Sequence, residues 1–252
     1  MSQVSIVIPT LNEAVSLGRT LRQLTLLNPP AFEVIVVDGG SEDETMAVAK
    51  QCFESFDQSL CRLQILSSEQ RGRSIQMNYG ASAATGDILC FLHADTWVPD
   101  DLITVIKQTL AEPTIACGGF ISLMSGSQTT RWGISLHNYL KTYYAPLLFK
   151  PYLFFRGLRL LFGDQVMFCR STDFWDCDGF DRALPIMEDG DLCLKLVKKG
   201  RIYQVNRIVQ SSDRRVAKWG SFKATAIYLY IGILWGIGVD ANYLKQFYQD
   251  IR

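Results

Sequence analysis

The chain has 252 residues, 48% of them hydrophobic and 20% charged, with 25 Lys+Arg against 25 Asp+Glu. That composition fits one large α/β domain with a sizeable core and excludes a disordered chain, and the zero net charge gives no footing for nucleic-acid binding. Charge is nevertheless uneven along the sequence, because residues 1–140 carry 8 basic and 14 acidic side chains while residues 141–252 carry 17 and 11. The second part is therefore the one suited to anionic material, whether phosphates or a membrane surface. Seven cysteines (Cys52, Cys61, Cys90, Cys117, Cys169, Cys177 and Cys193) are scattered and never spaced CxxC. This argues against a disulfide framework or a zinc site and for reduced thiols in a cytoplasmic protein. The N-terminal MSQVSIVIPT has no basic residue before its apolar run, so it reads as a strand rather than a signal peptide.

In chain order, Val4–Pro9 is a short β-branched run with the pattern of a buried strand, followed by Thr10, Asn12 and Glu13. Leu17, Leu21, Leu24 and Leu27 then recur at helical spacing. A second strand, Phe32–Asp38, runs into Gly39 and Gly40, and Ser41 with Glu44 three residues later predicts a capping box that opens a second helix. Arg62–Leu66 and Asp87–His93 are predicted as further strands. Arg71 and Arg73 precede the helix between them, which contains Asn78 and is closed by Gly86. Strand and helix in alternation with short links predict a mostly parallel sheet covered on both faces, and ligands of such sheets bind at the carboxyl ends of the strands. That rim collects residues 10–13, 38–41 and 93–95.

An acid at the end of the second strand binds a ribose in dinucleotide folds, but the turn after the first strand, PTLNE, has no glycine, which argues against a nicotinamide or flavin enzyme. Asp38 is placed either to accept the N–H of a base or to start a turn with Gly39. Arg71 and Arg73, at a helix entrance, suit a diphosphate or a solvated turn. His93 and Asp95, two apart in an extended segment with Ala94 between them, point to one side. Asp95 can then anchor Mn2+ or Mg2+, which take carboxylates together with substrate phosphates. Glu188 and Asp189 open a helix, where acids either complement the dipole or, facing a cleft, provide a general base.

Four segments, VSIVIPTLNE, VIVVDGGSED, GDILCFLHAD and EDGDLCLKL, in this order and at these separations, resemble the family 2 glycosyltransferases of the GT-A fold over roughly residues 3–205. The FLHADT segment and the RRVAKW tail look closest to a short bacterial subgroup. The resemblance implies that Pro9, Thr10, Asn12 and Glu13 line a nucleotide pocket, that Asp38, with Gly39 and Ser41, meets the base, and that Arg71, Arg73, Asn78, His93 and Ala94 contact the nucleotide-sugar. It implies that Asp95 is the last acid of the metal motif, that Glu188 and Asp189 are the catalytic pair with Asp189 as base, and that Gly163, Asp164 and Gln165 shape the acceptor and donor-sugar pocket. The implied reaction is inverting, single transfer from a nucleotide-diphospho-sugar, with a UDP-sugar favoured and Mn2+ or Mg2+ as cofactor. His93 replaces the first acid of the metal motif, and RRVAKW replaces the family's QxxRW, which favours single transfer over polymer synthesis. A nucleotidyltransferase is the rival enzyme, disfavoured because no Gly-rich loop follows the first strand. A non-catalytic nucleotide-sugar-binding protein, or a peripheral membrane protein derived from a transferase, is the rival outside catalysis.

The implied organisation is a GT-A domain over 1–206, with a nucleotide-binding half at 1–98 and an acceptor-binding half at 99–206, followed by a helical apolar appendage at 207–252. Residues 143–162 are aromatic-rich but hold Lys150, Arg156, Arg159 and two prolines, which suits contact with lipid headgroups better than a membrane span. Residues 224–239 carry no charge over 16 positions, short of the ~20 that a spanning helix needs. A buried helix, a homo-oligomer interface, or a lipid-linked acceptor at the inner face of a membrane would each account for these stretches.

Overall fold

The computed structural model describes residues 2–126 and 129–248. Four strands, β1 (Val4–Thr10), β2 (Glu33–Asp38), β3 (Arg62–Ser67) and β4 (Ile88–Phe91), pair in parallel, and their connections are α1 (Ala14–Leu24), α2 (Thr45–Ser55) and α3 (Arg73–Ala83). The chain continues through α4 (Leu102–Ala111), β5 (Ile115–Ser125), α5 (Trp132–Phe149), α6 (Pro151–Phe155), β6 (Phe168–Arg170), α7 (Ser171–Trp175), α8 (Glu188–Leu196), β7 (Arg201–Ser212), α9 (Arg214–Trp219), α10 (Ser221–Gly236) and α11 (Ala241–Lys245). The seven strands form one sheet in the order β3-β2-β1-β4-β6-β5-β7, in which only β6 runs antiparallel to its neighbours.

Alternation along each strand divides the core. Val4, Ile6 and Ile8 of β1 pack with Leu17, Leu21 and Leu24 of α1 on one face, whereas Val7 packs with Met77 and Ala81 of α3 and with Leu192 of α8 on the other. All six residues of β2 are buried, as a strand covered on both faces requires. The register sets Thr10 opposite Asp38, so the loops after β1 and β2 leave the sheet side by side. After β7 the chain folds back: Ile231, Ala241 and Leu244 pack with Ile186 just before α8, and the α10 helix lies against α5. The boundary expected at 206 falls inside β7, which continues to Ser212. No helix among the described residues is long and apolar enough to cross a membrane.

The capping box predicted at Ser41 and Glu44 does not form. Helix α2 starts at Thr45, whose N–H donates to Asp43 Oδ1 at 2.9 Å, and Ser41 is taken up by the loop described below. Asp43 competes better because it sits two residues from the first free N–H and closes an Asx turn.

Helix α3 approaches the sheet through Gly80, where an added Cβ would run into Val7 and lie 2.9 Å from Val37 Cγ2. A helical Gly→Ala change ordinarily stabilises by about 0.5–1 kcal/mol. Here overpacking outweighs that gain, so Gly80→Ala should lower stability by about 1–2 kcal/mol in a urea titration; a variant as stable as the parent would contradict this close approach.

Candidate active site

The loops after β1 and β2 are knitted together. Asn12, in the left-handed region at φ 56°, donates its N–H to Ser41 Oγ at 2.9 Å and accepts the Glu42 N–H on Oδ1 at 2.8 Å. Asp38 is buried and accepts the N–H groups of Gly40 and Ser41 on one oxygen, each at 2.9 Å, and the Ser41 hydroxyl on the other. Its carboxylate builds the turn and does not face the cleft. Gly39 lets the Gln76 side chain pass close behind it, and Gln76 Nε2 donates to the carbonyls of Thr10 and Val37, tying the ends of β1 and β2.

Beyond β4 the chain turns at Ala94 and Asp95 rather than staying extended, so His93 and Asp95 diverge. Asp95 accepts from Arg214 Nη2 at 2.8 Å, and the same nitrogen lies 2.9 Å from both carboxylate oxygens of Glu13. His93 instead lies 3.4 Å from Arg73 Nη1. Burial, followed by the Arg73 charge, pushes its pKa down to about 4, so the imidazole is neutral near pH 7.

Across the cleft, Met187 in the left-handed region (φ 67°) ends the preceding loop, and Glu188 and Asp189 form the first turn of α8. They are 1% and 3% exposed, respectively. Arg73, the first residue of α3, holds both: its Nε donates to Glu188 Oε1 and its Nη2 to Asp189 Oδ2, the latter at 3.1 Å. The Gly163 N–H donates to the same Asp189 oxygen at 2.9 Å. Any side chain at Gly163 would collide with His93 Nε2. Burial raises the Asp189 pKa to about 7; Arg73 and the Gly163 N–H restrain the rise, whereas neighbouring Glu188 adds to it.

These two carboxylate–cation junctions face one another over a cleft of about 770 Å³. Pro9, Thr10, Asn12, Glu13, Ala94 and Asp95 line one end of it, and Arg71, Arg73, His93, Gly163, Asp164 and Asp189 also reach it. The remaining residues expected there do not. Besides Asp38, Gly39 and Ser41, Asn78 is held by Phe180, whose N–H and C=O pair with the Asn78 amide at 3.0 and 2.7 Å. Gln165 is buried and accepts the Phe162 N–H at 2.9 Å. Glu188 stands behind Asp189, gripping Arg73 without lining the cleft. Arg71 pairs with Glu42 at 2.7 Å at the exposed edge of the cleft, and Arg73 pairs with the α8 acids. Missing from the sequence reading were Arg214 and Arg215 of α9, Tyr228 of α10 and Tyr248, all of which line the cleft. Arg215 donates to the Tyr248 hydroxyl and stacks 4.2 Å from its ring centroid. The RRVAKW segment stood out in the sequence, but nothing local showed that its first arginine reaches Asp95.

Residues 5–175 match the family described as Glycosyl transferase family 2. The chain belongs to this family. A pre-mycofactocin glycosyltransferase of Mycobacterium tuberculosis is 27% identical over 202 residues, covering 78% of this chain and 39% of the relative. A PGL/p-HBAD biosynthesis glycosyltransferase of Mycobacterium bovis is 32% identical over 130 residues, 51% of this chain and 50% of the relative. The chain thus spans half or less of the length of these relatives. Among solved structures, mannosyltransferase PcManGT from Pyrobaculum calidifontis, in complex with GDP-Man and Mn2+, superposes with a TM-score of 0.71 at 19% identity, covering 99% of this chain and 65% of that one. Glucosyl-3-phosphoglycerate synthase from Mycobacterium tuberculosis, in complex with Mn2+, UDP and phosphoglyceric acid, gives 0.63 at 18% identity, over 95% of this chain and 80% of that one. These likenesses show the GT-A fold.

A divalent cation fits the family 2 cleft at Asp95. Two carboxylates, Asp95 and Glu13, already converge on one positive group, the Arg214 guanidinium, and hard oxygen donors are what Mn2+ and Mg2+ take. Among the described residues no three His, Cys, Asp or Glu side chains form a ready metal cage. Substrate phosphate oxygens would complete the shell.

Removing Arg73 leaves two buried carboxylates without their cation. Arg73→Met should cost about 2–3 kcal/mol at pH 8, below the ~3–5 of a fully enclosed pair because Arg73 is partly exposed. The penalty should shrink at pH 5, where Asp189 takes up a proton in the folded protein and not in the unfolded chain. Denaturant midpoints at the two pH values check both the size and the sign.

Proposed function

We propose that this chain is an inverting glycosyltransferase that makes a single transfer from a nucleotide-diphospho-sugar, a UDP-sugar favoured, to an acceptor hydroxyl. The observation that carries this reading is Asp189: a carboxylate on the cleft wall whose proton affinity is tuned close to neutrality, where a general base works best. Asp189 takes the acceptor proton as the hydroxyl oxygen attacks the anomeric carbon, and the bond from that carbon to the diphosphate breaks with its electron pair leaving on the phosphate. Arg73 and the Gly163 N–H fix the Oδ2 atom, leaving Oδ1 for the substrate. Glu188 positions Arg73.

Asp95 and Glu13 are the residues that would hold Mn2+ or Mg2+, and the bound ion would neutralise charge developing on the departing diphosphate. Arg214 occupies that seat, paired with both carboxylates, and would have to give it up to the ion while adding to the positive field there. Pro9, Thr10 and Asn12 form the wall against which the nucleoside rests.

Thermal stability against a panel of nucleotide-diphospho-sugars, with and without Mn2+, tests donor binding; a ligand at 100 times its Kd adds about 2.7 kcal/mol. Absence of a shift with every donor and ion would remove the reading. Asp189→Asn should lower kcat by 10²–10⁴ with donor affinity nearly intact. In the parent, kcat/KM should fall about tenfold per pH unit below about pH 7 and level off above it. Glu188→Gln removes a negative neighbour and should move this limb to lower pH, whereas Arg73→Gln should move it to higher pH. Retention of full transfer by Asp189→Asn would place the base elsewhere.

Arg214→Ala frees Asp95 and Glu13 from their internal cation. Calorimetric titration without donor should then find Mn2+ bound on the order of tenfold more tightly, equivalent to about 1.4 kcal/mol, with Asp95→Asn abolishing binding. Equal affinity in parent and Arg214→Ala would show that the arginine does not compete for this seat.

A further inference from the structure

A second cavity of about 480 Å³ opens beside the active-site cleft. Its volume lies within the ~300–1,000 Å³ of pockets that enclose small ligands. Helix α5 supplies one wall with Ala145, Pro146, Leu148 and Phe149, and α10 supplies the other with Leu229, Ile233, Trp235 and Gly236. Leu158, Leu160 and Leu194 close the floor. The walls are hydrocarbon and aromatic, with charge confined to Lys141, Lys150 and Asp191, the last of which pairs with Lys195 at 2.9 Å.

The two cavities adjoin. Lys141, Phe162, Met187, Tyr228 and Gly232 line both. At this neck the Lys141 ammonium lies 3.8 Å from the centroid of the Phe162 ring, so the boundary between polar cleft and apolar cavity is sharp. Gly232 keeps the neck open, since nothing lies within 4 Å of where its Cβ would be. The wall of the apolar cavity also touches the catalytic helix directly: Trp235 packs over Gly190, the residue after Asp189. At the far side Leu148, Ile233 and Ile237 are exposed, so an apolar path runs from the neck to the surface.

We propose that this cavity holds the hydrocarbon chain of an amphiphilic acceptor whose hydroxyl lies at Asp189. The proposal rests on the transferase reading of Asp189 and names the class of acceptor for it. An apolar cavity is poorly hydrated, so filling it with methylenes is favourable. Phosphate or sugar placed there would lose its hydration without hydrogen-bonding partners, which leaves the polar head in the cleft and the chain between α5 and α10. The same arrangement accounts for the two uncharged or aromatic stretches of the second half, 143–162 and 224–239, as the two walls of one site.

The test uses n-alkyl glucosides from hexyl to dodecyl as acceptor surrogates with the full chain, reading nucleotide release against the donor hydrolysis seen without acceptor. Affinity should rise about threefold to fourfold per methylene, the equivalent of ~0.8 kcal/mol per buried CH₂. Leu229→Trp, which fills the cavity from α10, should flatten that dependence while donor hydrolysis is unchanged. Brominated-chain glucosides should quench the fluorescence of Trp235 in the parent, shown by the loss of that component in Trp235→Phe. Equal affinity for hexyl and dodecyl chains, or a chain-length dependence untouched by Leu229→Trp, would overturn the proposal. Quenching at Trp235 with no nucleotide release from any donor would uphold the hydrocarbon site and instead remove the transferase reading.

Discussion

Two neighbouring carboxylates, buried in the first turn of one helix and sharing a single guanidinium from another, set the geometry on which the rest of the cleft depends. Arg73 is the cation that Glu188 and Asp189 share, and the helix that carries it, α3, lies tight on the sheet through Gly80. The same constraint makes Gly163 a glycine, since the loop that offers its N–H to Asp189 passes against the His93 ring. Asp189 then keeps a proton affinity near neutrality because burial and Glu188 push it up while Arg73 and the amide hold it down.

The opposite wall repeats the scheme with different parts. Glu13 and Asp95 come from the acidic first part of the chain and Arg214 from the basic second part. The charge asymmetry of the sequence is thus partly satisfied within the chain itself, and Arg207 pairs with Asp101 on the exposed surface. It is also directed into the cleft, which Arg214 and Arg215 line. The C-terminal helices are part of this site: α9 brings the arginines, α10 brings Tyr228, and Tyr248 lies beyond α11.

The first four strands and their rim were legible, most clearly β1 and β2, which are buried β-branched runs ending in polar residues, whereas β5, β6 and β7 were not read from the sequence. That Asp189 and Asp95 line one cleft was legible from their positions at a helix start and a strand end. Other residues were misread where a tertiary or local competitor took the side chain: Asp43 displaced the Ser41–Glu44 capping box, the turn at Ala94 parted His93 from Asp95, and Asp38 was drawn into its own loop. Asn78 was consumed by Phe180, 102 positions away. Arg214 was invisible for the same reason, since its partners lie 119 and 201 residues back along the chain. The uncharged stretch at 224–239 left a buried helix, an oligomer interface and a lipid contact all open, and only its packing against α5 reveals a cavity wall.

The central claim is that the protein environment, rather than the motif, makes Asp189 a base suited to neutral pH. Carbon-13 NMR titration of the aspartate carboxylates, with the Asp189 signal assigned by its loss in Asp189→Asn, measures this directly. The account predicts a midpoint near pH 7 for that signal in the parent protein. A midpoint near 4, the ordinary value for an exposed aspartate, would contradict it and leave Asp189 as one half of a structural ion pair.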